Sequence, residues 1–366
     1  MENYRKLIGS ITIITFSYAA SRVLGFFREI LLANWAGVSE ATDTLDLAFI
    51  IPDFLFYLSA GGYLAITLIP IMSGKEKSEL NNYFISIFYG LSIIFVLFSL
   101  ITYSLRFQFA ELLGVKSLNF FIEVFTPIIF SQVFFFVGAI LMSYQYFHDN
   151  FKYAALAPVV YNSTIILFGW LNSSTPEGTI KGFATGTLVG SIIGHFLIQL
   201  YGVKKSGLNF NFTSPRYVDL KEYITISLPL ILGQSIAVVD EQLFRVFGSF
   251  LAAGSVATFR YARRIALLPV GIVAQAVGVA SYPLLSRLFQ KNDIDELLEL
   301  VKKQLSYLFL IGSSLMVVAI INAEYLIEII YERGAFTSDD TIRVSSVFKI
   351  ISLAIVPWSI NQILTR

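Results

Sequence analysis

The chain has 366 residues, of which 56% are hydrophobic, 15% aromatic and 14% charged. This composition excludes a soluble globular domain of the same length and predicts an integral membrane protein. The net charge of +1 gives no electrostatic reason to expect a nucleic-acid partner. Cysteine is absent, which excludes disulfides, thiolate metal sites and thiol catalysis.

Apolar segments long enough to cross a hydrocarbon core of about 30 Å recur along the whole chain. Several of them contain no acidic or basic residue over the full length of a membrane-spanning helix. The sequence therefore predicts an all-α polytopic membrane protein. In chain order, the predicted spans are 8–33, 40–73, 80–105, 119–147, 153–172, 181–203, 222–250, 255–286, 303–323 and 340–365.

Lysine and arginine are concentrated in alternate connections between these spans. Because basic residues favour the cytoplasmic side, this pattern predicts that both termini of the chain are cytoplasmic. The opposite connections are short and poorer in basic residues, so no large external domain is expected.

Short pieces of the chain match one another at an offset of about 215 residues. Ile69-Pro70-Ile71-Met72-Ser73, for example, corresponds to Tyr282-Pro283-Leu284-Leu285-Ser286. This internal similarity predicts two pseudo-symmetric helical lobes around a central charged cavity. The N-terminal lobe would comprise 1–203, a cytoplasmic linker 204–221 and a partial C-terminal lobe 222–366. Since the chain ends directly after the tenth predicted span, we expect a truncated chain with an incomplete second lobe.

Charged residues also lie inside the predicted spans, where each costs about 3 kcal/mol or more at the bilayer centre. Such residues are expected to line a hydrated cavity or to pair between helices, and simple mutual neutralisation is one alternative. The second predicted span would carry its three aspartates as one stripe, and Glu241 and Arg245 have the i, i+4 order that favours an ion pair. The set comprises six arginines, Arg22, Arg28, Arg245, Arg260, Arg263 and Arg264, and six acids, Glu29, Asp43, Asp46, Asp53, Asp240 and Glu241.

Arginine at these positions favours a binding role over neutralisation alone. A planar guanidinium grips phosphate oxygens through paired hydrogen bonds and stays charged at every physiological pH. Arginines from both lobes would thus clamp one anionic headgroup, and a pyrophosphate is a plausible ligand.

Four stretches of the chain, in order, resemble the MviN/MurJ family of lipid-linked peptidoglycan precursor flippases, within the multidrug/oligosaccharidyl-lipid/polysaccharide exporter superfamily. They are SRVLGFFREILLA from Ser21, ATDTLDLAFIIPDFL from Ala41, SFLAAGSVATFRYARRIALLPVGIVAQAVGVASYPLLS from Ser249 and YERGAFTSDDT from Tyr331. The resemblance implies a two-lobed, fourteen-span transporter that carries lipid II, an undecaprenyl-pyrophosphate disaccharide-pentapeptide, by alternating access. By position, Arg22, Arg28, Asp43 and Arg264 match family residues that matter for transport.

The chain departs from the family pattern at several of these positions. Glu29 stands where aspartate is usual, and Phe56 and Tyr57 replace a pair of arginines. The pattern also lacks the additional charges at Arg260, Arg263, Asp240 and Glu241. They would either compensate for the lost arginine or adapt the cavity to another polyprenyl-linked glycan.

These observations assign two groups of site residues. We expect substrate binding by Arg22, Arg28, Arg264, Arg260 and Arg263. Gating or ion pairing is expected of Glu29, Asp43, Asp46, Asp53, Asp240, Glu241 and Arg245. The expected protein is a monomer in the bacterial cytoplasmic membrane, whose partners are the bilayer and the undecaprenyl-pyrophosphate-linked glycan. No metal site or cofactor is predicted, and transport would be coupled to sodium, protons or membrane potential.

Two other classes of protein compete with this interpretation. Within the superfamily, the chain would be a polysaccharide-unit flippase of the Wzx kind or a cation-coupled exporter. A polyprenyl-dependent membrane enzyme would use Asp46 or Asp53 for acid–base chemistry, but the large interfacial loops typical of such enzymes are absent. His148 and His195 have no neighbouring ligand pattern, so surface and packing roles are expected.

Overall fold

A computed structural model describes residues 2–59, 63–211 and 214–364. This part of the chain is helical throughout, and its only strand-like feature is a single antiparallel bridge between Arg333 and Phe336. The prediction of an all-α protein is therefore confirmed. Packing divides the chain into two compact units, the first ending at Gly254 and the second beginning at Ser255.

The first unit contains eleven α-helices within the described ranges, and one π-helical stretch, Ser191–Leu197, joins α9 to α10. The α-helices are α1 (Glu2–Ala36), α2 (Glu40–Ala48), α3 (Ile50–Ser59), α4 (Tyr63–Ser73), α5 (Lys77–Ser104), α6 (Arg106–Leu112), α7 (Leu118–Phe147), α8 (Lys152–Leu171), α9 (Pro176–Gly190), α10 (Ile198–Lys205) and α11 (Tyr217–Ser249).

The second unit contains six further α-helices within the described ranges, and a π-helical stretch, Val270–Ala274, interrupts its first long span. The α-helices are α12 (Ser255–Pro269), α13 (Gln275–Gln290), α14 (Ile294–Ile321), α15 (Ala323–Tyr331), α16 (Ser338–Ser352) and α17 (Ile355–Leu364).

Among the described residues, six helices are long and apolar enough to cross a membrane, or seven if the pair α16 and α17, bent by 43°, is one span. These helices coincide with seven of the ten predicted spans, which confirms a multi-pass membrane protein. The other three predicted spans correspond to α1, to the series α2–α4 and to α11. With 35 and 33 residues, α1 and α11 are each about 50 Å long and thus exceed the hydrocarbon thickness.

The span predicted at 40–73 is a series of helices, α2 to α4, and not one continuous helix. Helix α2 ends at Ala48 and α3 begins at Ile50. Pro52 has no N–H to donate to the carbonyl of Ala48 four residues earlier, and its ring crowds that carbonyl, so the break falls where the sequence places the proline. Asp43 and Asp46 therefore lie on α2, whereas Asp53 lies on α3.

Close packing of α9 against α8 depends on glycine. Glycines recur every fourth residue along one face of α9 and its π-helical extension, at Gly182, Gly186, Gly190 and Gly194. A Cβ atom added at Gly186 would lie 2.7 Å from the Cα of Ile165, which is closer than real Cβ contacts. Only glycine permits this approach of the two backbones.

The connection between α10 and α11 is fastened to α5. The side chain of Asn81 donates to the carbonyl of Asn209 at 2.9 Å and accepts from its N–H at 3.3 Å. The N–H of Arg216 donates to Ser86 Oγ at 2.8 Å. Helix α11 then packs against α3, α4 and α5, so by packing it belongs to the first unit. The predicted lobes are defined by internal symmetry and not by packing, and they place 222–250 in the C-terminal lobe. The division into two lobes therefore stays a prediction.

Candidate functional site

Charged side chains on the helices of the first unit are held by specific polar partners. Arg28 of α1 donates from Nη1 to Asn162 Oδ1 of α8 at 3.1 Å. Its Nη2 lies 3.2 Å from Oε1 of Glu29, whose residue is only 7% exposed. Asn162 is itself oriented, because its Nδ2 donates to the carbonyl of Pro158 at 2.9 Å. The Arg28 guanidinium is therefore preorganised while part of it stays accessible.

A second ion pair joins α3 to α11. Arg245 Nη1 lies 2.8 Å from Asp53 Oδ2, and the two side chains are 14% and 29% exposed. The sequence had suggested Glu241 as the partner of Arg245. The structure shows that Arg245 reaches across to another helix, and the side chain of Glu241 lies outside the described residues, as does that of Asp240.

Asp43 anchors the connection that follows α11. Its Oδ2 accepts the backbone N–H of Gly254 at 2.6 Å, and Gly254 has φ +84°, a conformation that glycine adopts without strain. Glu40 and Lys116 join Asp43 in the lining of a small cavity of about 30 Å³, which has room for water. The hydrogen bond to Gly254 is not an ion pair, so the gating or ion-pairing role of Asp43 stays a prediction.

Two further predicted site residues, Asp46 of α2 and Arg22 of α1, differ in exposure. Asp46 is 5% exposed, and its backbone carbonyl accepts the N–H of Phe49 where α2 ends. Arg22 is exposed on α1, two helical turns before Glu29. A buried carboxylate and an exposed guanidinium suit different tasks, the first holding structure and the second meeting a ligand.

Three arginines lie on α12 in the second unit. The guanidinium of Arg260 lies 4.5 Å from the centre of the Tyr261 ring, and that of Arg263 lies 5.6 Å from the ring of Trp358 on α17. Both distances are within the range of cation–π attraction, which helps to orient a guanidinium. Arg264 is exposed.

The structure thus brings some predicted site residues together within each unit. Arg28 meets Glu29, Asp53 meets Arg245, and the α12 arginines share one helix. Sequence reasoning missed Asn162, although a lone amide within an apolar span is the signal that could have identified it. It also missed Trp358 and the backbone N–H of Gly254, which carry no recognisable signal in sequence. His195, predicted to pack, lies against Phe135 with ring centres 4.3 Å apart and ring planes tilted by 49°, which confirms that prediction.

Membrane-crossing helices with oriented ionised groups define a polytopic membrane protein of the transporter class. A family model described as "Lipid II flippase MurJ" matches residues 32–366. The chain therefore belongs to the lipid II flippase MurJ family, which confirms the resemblance.

Curated relatives agree with this assignment. The chain is 26% identical to a probable lipid II flippase MurJ of Buchnera aphidicola over 380 aligned positions, covering 99% of this chain and 72% of the relative. It is also 26% identical to the probable lipid II flippase MurJ of Helicobacter pylori, covering 91% of this chain and 77% of the relative.

Solved structures show the same fold. A lipid II flippase MurJ in an inward closed conformation superposes with a TM-score of 0.81 at 24% identity, covering 97% of this chain and 75% of that one. The Vibrio cholerae MATE transporter VcmN in its bent form gives a TM-score of 0.55 at 15% identity, covering 99% and 85%. At these identities both likenesses concern the fold alone.

Proposed function

We propose that this protein is a flippase that moves lipid II from the cytoplasmic to the outer leaflet of a bacterial membrane by alternating access. The observation that carries the proposal is the family match over residues 32–366, a stretch that contains Asp43 and all three α12 arginines. The cargo would be an undecaprenyl-pyrophosphate-linked glycan. Transport conserves the bonds of this cargo, so the proposal assigns no catalytic residue.

The diphosphate of the cargo is the group that the arginines are suited to bind. Arg28 supports this role because Asn162 and Glu29 fix its guanidinium at 3.1 Å and 3.2 Å. An arginine held in this way loses little conformational freedom when it forms paired hydrogen bonds with phosphate oxygens. Arg22 and Arg264, both exposed, would add contacts, and Arg260 and Arg263 would contribute positive potential.

The acids would hold the helices in one transport state and release them in the next. Asp43 would fasten the connection after α11, and Asp53 would fasten α11 itself through Arg245. We further propose that a sodium or proton gradient or the membrane potential drives the cycle, that the protein acts as a monomer, and that the described chain termini are cytoplasmic. Imposing each gradient separately on vesicles that contain the protein would identify the coupling.

The test uses bacteria depleted of their own flippase, in which lipid II at the outer face is labelled and counted. We expect the chain to restore exposure, and Arg28→Ala to reduce it about tenfold or more, because one charge-assisted contact is worth about 1.5–3 kcal/mol. The matched control is Lys181→Ala, which removes one positive charge from an ion pair with Glu123 whose side chains are both about half exposed, and it should leave lipid II exposure within about twofold.

Two results would contradict the proposal. In the first, the unsubstituted chain inserts normally into the membrane but restores exposure of another lipid-linked glycan and not of lipid II. The second is equal exposure of lipid II for Arg28→Ala and Lys181→Ala, which would leave the transporter class intact but remove the diphosphate role of Arg28.

A further inference from the structure

The segment that joins α15 to α16 is a tightly bonded turn. Arg333 and Phe336 form an antiparallel bridge, and Gly334 between them has φ +58°. The guanidinium of Arg333 donates to the carbonyls of Ile329 at 2.7 Å and Ile330 at 2.9 Å. These carbonyls belong to the last turn of α15, where no helical N–H remains to satisfy them, so Arg333 ties the turn to the helix end.

The other end of the turn is fixed to α16 in the same manner. Thr337 and Asp340 form a capping box, in which each side chain accepts the backbone N–H of the other residue. Thr341 donates to the carboxylate of Glu332 at 2.5 Å, which closes the base of the turn. Phe336 therefore sits in a segment bonded at both ends and has little freedom to move independently.

Three aromatic rings connect this turn to α12. Tyr261 of α12 lies 4.9 Å from the ring of Tyr331 and 5.5 Å from that of Phe336, measured between ring centres. Tyr331 and Phe336 are themselves 5.6 Å apart. The three residues are 0%, 0% and 1% exposed, so the cluster is fully buried. Aromatic pairs at such distances attract one another beyond the effect of their buried area, so the three rings hold one another in place.

Tyr261 lies on the same turn of α12 as the three arginines. At about 100° per residue, Arg260 and Arg264 project roughly 100° and 60° to one side of Tyr261 around the helix axis. Fixing the Tyr261 ring therefore fixes the direction in which the guanidiniums project. A helix rotation of about 10° would displace side chains at a radius of about 6 Å by roughly 1 Å.

We propose that Tyr331 and Phe336 are positioning residues, which set the rotation of α12 and so aim its arginines at the diphosphate of the cargo. The proposal rests on the proposed function for the cargo, whereas the rotation of α12 can be tested without it. Neither ring touches the ligand in this arrangement. Their effect passes through Tyr261.

The first experiment measures the position of α12 directly. Because the chain has no native cysteine, spin labels can be attached at Arg264→Cys and at Ser314→Cys, an exposed position on α14 in the same unit. We expect Phe336→Leu to shift or broaden the distance between the labels by about 1–2 Å. Tyr331→Phe retains the ring and should leave the distance unchanged. Ile327→Ala is the control, since it removes a fully buried aliphatic side chain from α15.

The second experiment measures the dissociation constant for lipid II in detergent. Phe336→Leu should weaken binding about tenfold in the unsubstituted background, since 1 Å of misplacement is sufficient for losses of that order. In the Arg264→Ala background, Phe336→Leu should change the logarithm of the dissociation constant by less than half as much. The reason is that the arginine through which Phe336 acts is absent there. Ile327→Ala should lower thermal stability without weakening binding at a temperature where the protein is folded.

An unchanged label distance in Phe336→Leu, or an equal loss of binding with and without Arg264, would overturn the proposal. Failure of the unsubstituted chain to bind lipid II would overturn the proposed cargo instead. The label distance would still decide whether the turn positions α12, so the two failures are distinguishable.

Discussion

The ion pair between Asp53 and Arg245 offers a quantitative test of what holds α11 against α3 within the first unit. At 2.8 Å and an effective dielectric constant of about 20, the Coulomb attraction between the two charges is about 6 kcal/mol. Desolvation opposes it by several kcal/mol per ion when burial is complete. The side chains retain 14% and 29% exposure, so we expect a net coupling of about 1–2 kcal/mol.

The assay is a double-mutant cycle on the free energy of unfolding in mixed detergent micelles. Asp53→Ala and Arg245→Ala should each cost about 2–3 kcal/mol, since each deprives a mostly buried charge of this ion pair. The double variant should cost about 1–2 kcal/mol less than the sum. Exchanging the charges, with Asp53→Arg and Arg245→Asp together, should recover part of the loss.

The matched control is the ion pair between Glu123 and Lys181, which joins α7 to α9 with side chains 54% and 48% exposed. Its coupling should stay below about 1 kcal/mol, because water screens an exposed pair. A coupling at Asp53 and Arg245 no larger than that of the control would refute the reasoning. Burial would then not strengthen the pair, and the attachment of α11 would depend on apolar packing.

Three further predictions concern the first unit. Gly186→Ala should lower stability by about 1–3 kcal/mol through backbone overlap with α8, whereas Gly271→Ala, which has nothing within 4 Å, should be neutral or stabilising; equal unfolding midpoints would contradict this. Asn162→Leu should weaken lipid II binding about three- to tenfold by releasing Arg28, and an unchanged dissociation constant would show that Arg28 needs no orientation. Asp43→Asn keeps an acceptor but loses the charge, so it should cost about 1 kcal/mol of unfolding free energy and Asp43→Ala about twice that; equal losses would exclude the hydrogen bond as the cause.

The membrane class and the family were predictable from sequence because both depend on local patterns. Charge-free segments such as 80–105 indicate a span without knowledge of any neighbour. Glycines at every fourth position from Gly182 to Gly194 likewise predicted a close helix contact, since the periodicity places them on one face. The break between α2 and α3 was also available in principle, because Pro52 marks it.

The partners of the charged residues were not predictable, because pairing depends on distance between parts of the chain that are remote in sequence. Arg28 and Asn162 are 134 residues apart, Asp53 and Arg245 are 192 apart, and Asp43 and Gly254 are 211 apart. The i, i+4 pattern suggested Glu241 for Arg245, whereas the ion pair with Asp53 depends on the contact between α3 and α11, which the sequence does not reveal.

The sequence by itself determined that the chain enters a membrane, that it is helical and which residues carry charge there, since transfer free energies and helical periodicity act residue by residue. Only the tertiary structure decided which of those charges are neutralised, which are oriented by amides or aromatic rings, and which stay exposed. A charge in a low-dielectric interior is stable only beside the group that compensates it, and folding alone brings that group within reach.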